Sequence, residues 1–174
     1  MNNALEKWAR SISWIMWFGK GLFFAVIIIL ILMRSVITVI RVDGHSMDPT
    51  LRDGQWVAVD LASNSFKGWD RGDIAILKFP GDPLHSWYVK RVIGLPGDVI
   101  LIDNGVVTRN GEVLNENYLL PGTLTENGVV DISMQVPTDK YLVLGDNRNI
   151  SNDSRYFGYV PKSNLYGEVI GYRD

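Results

Sequence analysis

Val36-Ile37-Thr38-Val39-Ile40-Arg41-Val42 is where this chain changes period. Upstream, apolar residues follow one another without interruption, as on a helix that is apolar all round. From Val36 onward, branched and aromatic residues come in short alternating runs, the two-residue period of strands. The pattern returns in Gln55–Asp60, Ile74–Phe79, Trp87–Ile93, Val99–Ile102 and Tyr141–Leu144, each bounded by Gly, Pro or Asp. Residues 36–174 therefore read as a mainly β, strand-rich domain. Asn104-Gly105 and Asn110-Gly111 separate such runs and predict two-residue hairpin turns, because both central positions of that turn need positive φ. The stretch 114–139 is looser, with Pro121-Gly122 and Asn127-Gly128, and is expected to form a peripheral excursion with short strands of its own. Nothing repeats at a fixed period, and no linker marks a further domain.

Working back toward the N-terminus, SISWIMWFGKGLFFAVIIILILMR (Ser11–Arg34) is apolar apart from Lys20 and small residues. Its apolar part is about 22 residues, or ~33 Å as a helix, against a hydrocarbon core of ~30 Å. Gly21–Met33 alone would reach only ~20 Å, so a spanning helix must take in Trp14–Lys20 or run past Arg34. Trp8, Trp14 and Trp17 read as an interfacial belt, with Lys20 snorkelling toward the same side. No small-x-small cleavage pattern follows Met33, which favours a retained anchor over a removed leader. The expected organisation is a cytoplasmic tail over 1–11, a transmembrane anchor over 12–35 and an extracytoplasmic β-rich domain over 36–174. Lys7, Arg10 and Lys20 against Arg34 and Arg41 lean toward a cytoplasmic N-terminus.

Composition excludes several classes. The 174 residues, 47% hydrophobic, suffice for an anchor and one core. A net charge of −2 gives no electrostatic footprint for nucleic acid. Cysteine is absent, which removes disulfides, thiol nucleophiles and cysteine-ligated zinc. No nucleotide or metal motif is present, so no cofactor is expected.

Three stretches carry chemistry. Gly44-His45-Ser46-Met47-Asp48-Pro49-Thr50-Leu51 puts one serine in a tight polar turn just after the apolar segment. Such a turn can be structural only, with Pro49 fixing the backbone. A nucleophilic reading requires a nearby base and donors for the oxyanion. In Trp87–Ile93 the two-residue period places Tyr88, Lys90 and Val92 on one face. If that face is interior, desolvation lowers the Lys90 pKa and makes it a general base. The local pattern by itself better fits a surface lysine guarding an edge strand. His45 diverges from its neighbour Ser46, and His85 reaches it only if its loop folds back, so a Ser-His-Asp reading is the weaker alternative. The third stretch, Gly145–Gly158, is a polar loop after the Tyr141 strand, rich enough in Ser, Asn, Asp and Arg to hold itself together.

Taken together these stretches resemble the type I signal peptidases, membrane-bound serine proteases with a Ser-Lys dyad. Ser46–Leu51 resembles the family's nucleophile box, Arg71–Ile74 and Lys90–Asp98 the next boxes, and Gly145–Arg155 the last. The resemblance covers essentially the whole chain and implies that Ser46 is the nucleophile and Lys90 the general base. It further implies that Ser151 orients the lysine, that Asp153 and Arg155 form a supporting ion pair, and that Asp146 and Asn147 support the same loop. The Ser46 backbone N–H would serve the oxyanion. Substrates would be secretory precursors with small residues before the cut, on the outer face of a bacterial plasma membrane, with the lipid bilayer as the other partner and nucleic acid as none. Gly44 stands where some members carry a serine for the oxyanion, and Asn149-Ile150 replaces the Asp-Asn often found in the last box. Two other readings are a self-cleaving Ser-Lys protease of the SOS-repressor type and a membrane-tethered β-domain with no activity.

Overall fold

The computed structural model describes residues 8, 14, 16–29, 37–62, 68–79, 81, 83, 86–132 and 135–172. The chain divides into two compact units, Met1–Val36 and Ile37–Asp174. In the first, residues 16–29 are helical and mostly exposed, with Phe18, Leu22, Phe23 and Phe24 each at least 60% accessible. No helix among the described residues is long and apolar enough to cross a membrane. The expected anchor also takes in residues 12, 13, 15 and 30–35, and the expected tail residues 1–7 and 9–11, which lie outside the described residues.

The second unit is mainly β. Its larger sheet runs in the order β1 (Ile37–Arg41), β2 (Trp56–Asp60), β10 (Leu165–Tyr172), β3 (Ile74–Lys78), β4 (Trp87–Gly94), β8 (Lys140–Leu144), β9 (Val160–Pro161), with every neighbouring pair antiparallel. A second sheet comprises β5 (Ile100–Asp103), β6 (Val106–Arg109) and β7 (Glu112–Val113). Its turns are Asn104-Gly105 and Asn110-Gly111, at φ of 48° and 81° and of 54° and 84° respectively. These are the paired positive values that a twisted two-residue hairpin demands.

Alternation along the strands divides the interior. On β4 and β8, Val92 and Val143 pack with Trp69, Leu77 and Leu165, while Ile93, Leu142 and Leu144 face the opposite way onto Ile100, Ile102 and Val107 of the small sheet. A third core gathers Val42, Met47, Leu51, Val57, Val59, Ile74 and Ile76. Lys90, paired with Ala75 of β3 just before the residues of β4 that pair with β8, is only 2% exposed, so it is no surface guard, and that alternative is overturned.

Two departures from the sequence expectation have physical reasons. The strand β10 sits between β2 and β3, yet its residues LYGEVIGY carry two interior glycines and two register shifts that hide the alternation. A Cβ on Gly167 would lie 2.6 Å from Val59 Cγ1 and 3.0 Å from the Asp60 carbonyl, so the residue that obscures the strand is what lets it pack. The excursion 114–139 has no strand among its described residues, only an isolated bridge between Val99 and Gln135. It is held instead by Ile132 and Val136 in the core and by single backbone bonds, Thr125 N–H to Gly105 O (2.9 Å) and Val130 N–H to Arg155 O (3.0 Å).

Candidate active site

Ser46 sits in the connection between β1 and β2. The hairpin closes behind it, with Val42 N–H donating to Gln55 O (2.8 Å) and Gly54 N–H to Val42 O (2.9 Å). Gly44 turns the chain at φ +93°, its N–H donating to Asp53 Oδ1 (2.8 Å). Met47 and Leu51 drop fully into the third core and pin the far side of the turn, which leaves Ser46 half-exposed above them. The Ser46 carbonyl accepts the N–H of Asn147 (3.0 Å). Gly145 leaves no room at this junction: a Cβ there would fall on Ser151 Oγ and lie 2.5 Å from Ser46 O.

Lys90 comes from the middle of β4, opposite Ala75 of β3, and is 2% exposed. Its Nζ lies 2.7 Å from Ser46 Oγ and donates to Val89 O at 3.0 Å. A neutral amine has two N–H bonds and one lone pair. With one N–H held by the Val89 carbonyl, the lone pair is free to take the Ser46 hydroxyl proton. Burial pushes the Lys90 ammonium down to about 8, against the opposing pull of Asp153 and Asp146. Desolvation dominates because neither carboxylate is bare. Arg91 Nε and Nη2 donate to Asp146 Oδ1 (2.8 Å) and Oδ2 (2.6 Å), and Arg155 Nε and Nη2 donate to Asp153 Oδ1 (2.8 Å) and Oδ2 (2.9 Å).

The polar loop is organised around these pairs. Asp153 also accepts the N–H of Gly145 (3.0 Å) and caps the helical turn Ser154–Phe157, while Ser154 Oγ accepts Val143 N–H (2.9 Å) and ties the loop to β8. Thr50 Oγ1 donates to Asp146 Oδ2 (2.5 Å), so the serine's turn and the loop share one carboxylate. The structure thus brings Ser46, Lys90, Asp146, Asn147, Asp153 and Arg155 together. Ser151 is buried at the same junction, but its Oγ has no hydrogen-bond partner among the described residues and makes no bond to Lys90. His45 turns away: its Nδ1 pairs with Asp48 Oδ2 (3.0 Å) and the side chain is 63% exposed. His85 lies outside the described residues. Sequence reasoning missed Arg91, Arg148 and Glu116. Arg91 was within reach of a simple rule, since a charged residue in the middle of a doubly covered strand requires a buried carboxylate.

Ser46 and Lys90 line an open groove of about 630 Å³, bounded by residues 40–44 on one side and by Trp87, Tyr88 and Val89 on the other, with Ile76 in its floor. The arrangement is that of one hydroxyl and one amine of depressed basicity at the side of an open groove.

Comparison with known proteins places this geometry in context. The profile of the family described as "Signal peptidase, peptidase S26" matches residues 14–172. The chain is 38% identical over 157 residues to a probable signal peptidase I-2 of Synechocystis, covering 87% of this chain and 70% of that protein. It is 33% identical over an alignment of 183 positions to signal peptidase IB of Staphylococcus aureus, covering 97% and 89%. The crystal structure of a signal peptidase I from Enterococcus faecalis superposes with a TM-score of 0.51 at 32% identity, covering 58% of this chain and 96% of that one.

Proposed function

The chain belongs to the S26 signal peptidase family and is a serine endopeptidase of the type I signal peptidase kind, and from that premise we propose that Ser46 is its nucleophile and Lys90 its general base. The observation that carries the proposal is the 2.7 Å contact between Ser46 Oγ and an amine only 2% exposed. Lys90 removes the hydroxyl proton as Ser46 Oγ attacks the scissile carbonyl, then returns it to the departing amine. In the second half, the same amine deprotonates the water that hydrolyses the acyl-enzyme ester. The Ser46 N–H donates to the oxyanion. Gly44 brings no hydroxyl there. Asp146, Asn147, Asp153 and Arg155 fix the loop that holds the Ser46 carbonyl, and Ser151, with its free Oγ, orients the amine during turnover.

The substrate is an exported precursor lying extended in the groove beside residues 40–44, where backbone pairing gives affinity and small pockets admit only small side chains before the cut. Residues 12–35 anchor the enzyme in the bacterial plasma membrane, with 1–11 in the cytoplasm and 36–174 outside. The exposed aromatic and aliphatic side chains of residues 16–29 support this reading. The test is cleavage of a purified preprotein carrying an Ala-x-Ala site in liposomes. Wild type is expected to cut after the second alanine, and folded Ser46→Ala not to cut; equal cutting by both overturns the nucleophile.

A further inference from the structure

We propose that Glu116 is a positioning residue for Ser46 and Lys90, acting through Arg148 to hold the loop 145–153 against the nucleophile; this rests on the assignment of that pair above. Arg148 is the centre of the device. Its side chain is fully buried, and among the described residues its one ion pair is with Glu116, itself 12% exposed. Arg148 Nη2 donates to Glu116 Oε1 (2.5 Å) and Nη1 to Glu116 Oε2 (3.3 Å), with a further short bond from Nη1 to Thr125 Oγ1. Tyr118 OH donates to the same Glu116 oxygen (2.7 Å), and its ring lies 4.1 Å from the Arg91 guanidinium.

The other side of Arg148 faces the site. Its Nε donates to Gly145 O (3.0 Å), and its own carbonyl accepts Arg155 Nη2 (2.8 Å). One residue therefore grips both ends of the loop, the glycine packed on Ser46 O and the arginine paired with Asp153. Between these grips, Asn147 N–H holds the Ser46 carbonyl. Among the described residues, the charged groups that act on the Lys90 amine, Asp146 with Arg91 and Asp153 with Arg155, belong to this assembly or are bonded to it, and the Tyr88 ring lies 5.6 Å away. A buried guanidinium deprived of its carboxylate is strongly unfavourable. Arg148 must then move toward water or draw water in, and Gly145 and the loop move with it. Glu116 lies in the segment after β7, about 30 residues before the loop, so this excursion fixes the site from outside.

The test separates position from charge by sign. Removing a negative charge favours the neutral amine and lowers the pH at which Lys90 titrates, whereas loosening the loop admits water and raises it toward the ordinary lysine value near ~10.4. The measurement is carbon-13 NMR of the full chain in detergent with lysine labelled at Cε, the Lys90 signal being identified by its absence in Lys90→Met. Glu116→Gln is expected to raise the Lys90 midpoint by about half a pH unit or more. A midpoint unchanged or lowered overturns the proposal. So does an equal rise in Ile102→Ala, which loosens the core under the small sheet without touching Arg148. If Glu116→Gln does not fold, Tyr118→Phe, which removes the phenol's bond to the same carboxylate and the long bond it accepts from Arg148 Nη2 (3.4 Å), answers with the same expected direction. Failure of the nucleophile assignment reads out separately, as cutting by Ser46→Ala.

Discussion

Replacing Lys90 by arginine isolates the proposed general base. Arginine nearly matches lysine in length, keeps a cation in the slot and can still donate to Val89 O, but it cannot lose its proton in a protein. With the Lys90 pKa pushed down to about 8 by burial, about one amine in ten is neutral at pH 7. At the ordinary value the neutral fraction would be about one in 2,500, so burial raises the supply of base ~250-fold. For arginine the fraction is below about one in 10⁵. General-base catalysis contributes roughly 10²–10⁴-fold, so Lys90→Arg is expected to lower kcat/KM by about 10³-fold or more. The assay is preprotein cleavage from pH 6 to 10.5, with near-UV circular dichroism to establish folding. For the wild type, kcat/KM should rise about tenfold per pH unit below about 8 and level off above it, as the free amine becomes available. Activity of Lys90→Arg within tenfold of wild type would refute the reasoning. A wild-type limb centred near ~10.4 would do the same for the desolvation argument, and one near ~6.5 would point to histidine.

Three further outcomes follow from the same geometry. Lys90 titrates lower in the folded than in the unfolded chain, so the unfolded state binds more protons between about pH 8 and ~10.4, and stability falls as pH drops through that window. Lys90→Met, inactive, should therefore be more stable at pH 7 by up to roughly 3 kcal/mol in urea titrations, with the difference shrinking as pH rises from about 8 to ~10.4; no gain at pH 7 would contradict the buried amine. Gly145→Ala has no space for its Cβ beside Ser151 Oγ and Ser46 O, and a displaced nucleophile should lower kcat about 10²-fold in folded protein. At the junction of β4 and β5, burial would raise the Asp98 carboxyl, but bonds from Arg71 Nε (2.9 Å) and Nη2 (2.8 Å), Leu95 N–H and Asn110 outweigh it and hold the group near 2. This contribution is complete above pH ~4 and disappears as pH falls through about 2. Asp98→Asn should thus lower stability at pH 7 by on the order of 1–2 kcal/mol, allowing for the half-exposed Arg71, and thermal melts of the two proteins should converge near pH 2.

Strands and turns were legible where local chemistry is strict. Asn104-Gly105 and Asn110-Gly111 are the tight turns that their residues predict, and alternation located β1 to β5 and β8 to within a residue or two. β10 was not legible, because Gly167 answers to Val59 on another strand, and the two register shifts break the period. In the excursion, Pro-Gly and Asn-Gly were mistaken for punctuation between strands. They belong to a segment whose order comes from burying Ile132 and Val136.

The sequence by itself determined the mainly β domain, its hairpins and, through several boxes in the right order, the family. These are properties of residues near one another in the chain, where period and turn chemistry act directly. Tertiary structure alone decided whether Lys90 was a surface guard or a buried amine, because its burial to 2% depends on what packs over it from outside its own strand. It also decided that His45 serves Asp48, that Arg91 shares Asp146 with Thr50, and that Glu116 reaches Arg148. Each of those last two pairings joins residues 30 or more positions apart, and which carboxylate a buried arginine finds is set by how the chain folds back, not by what lies beside it.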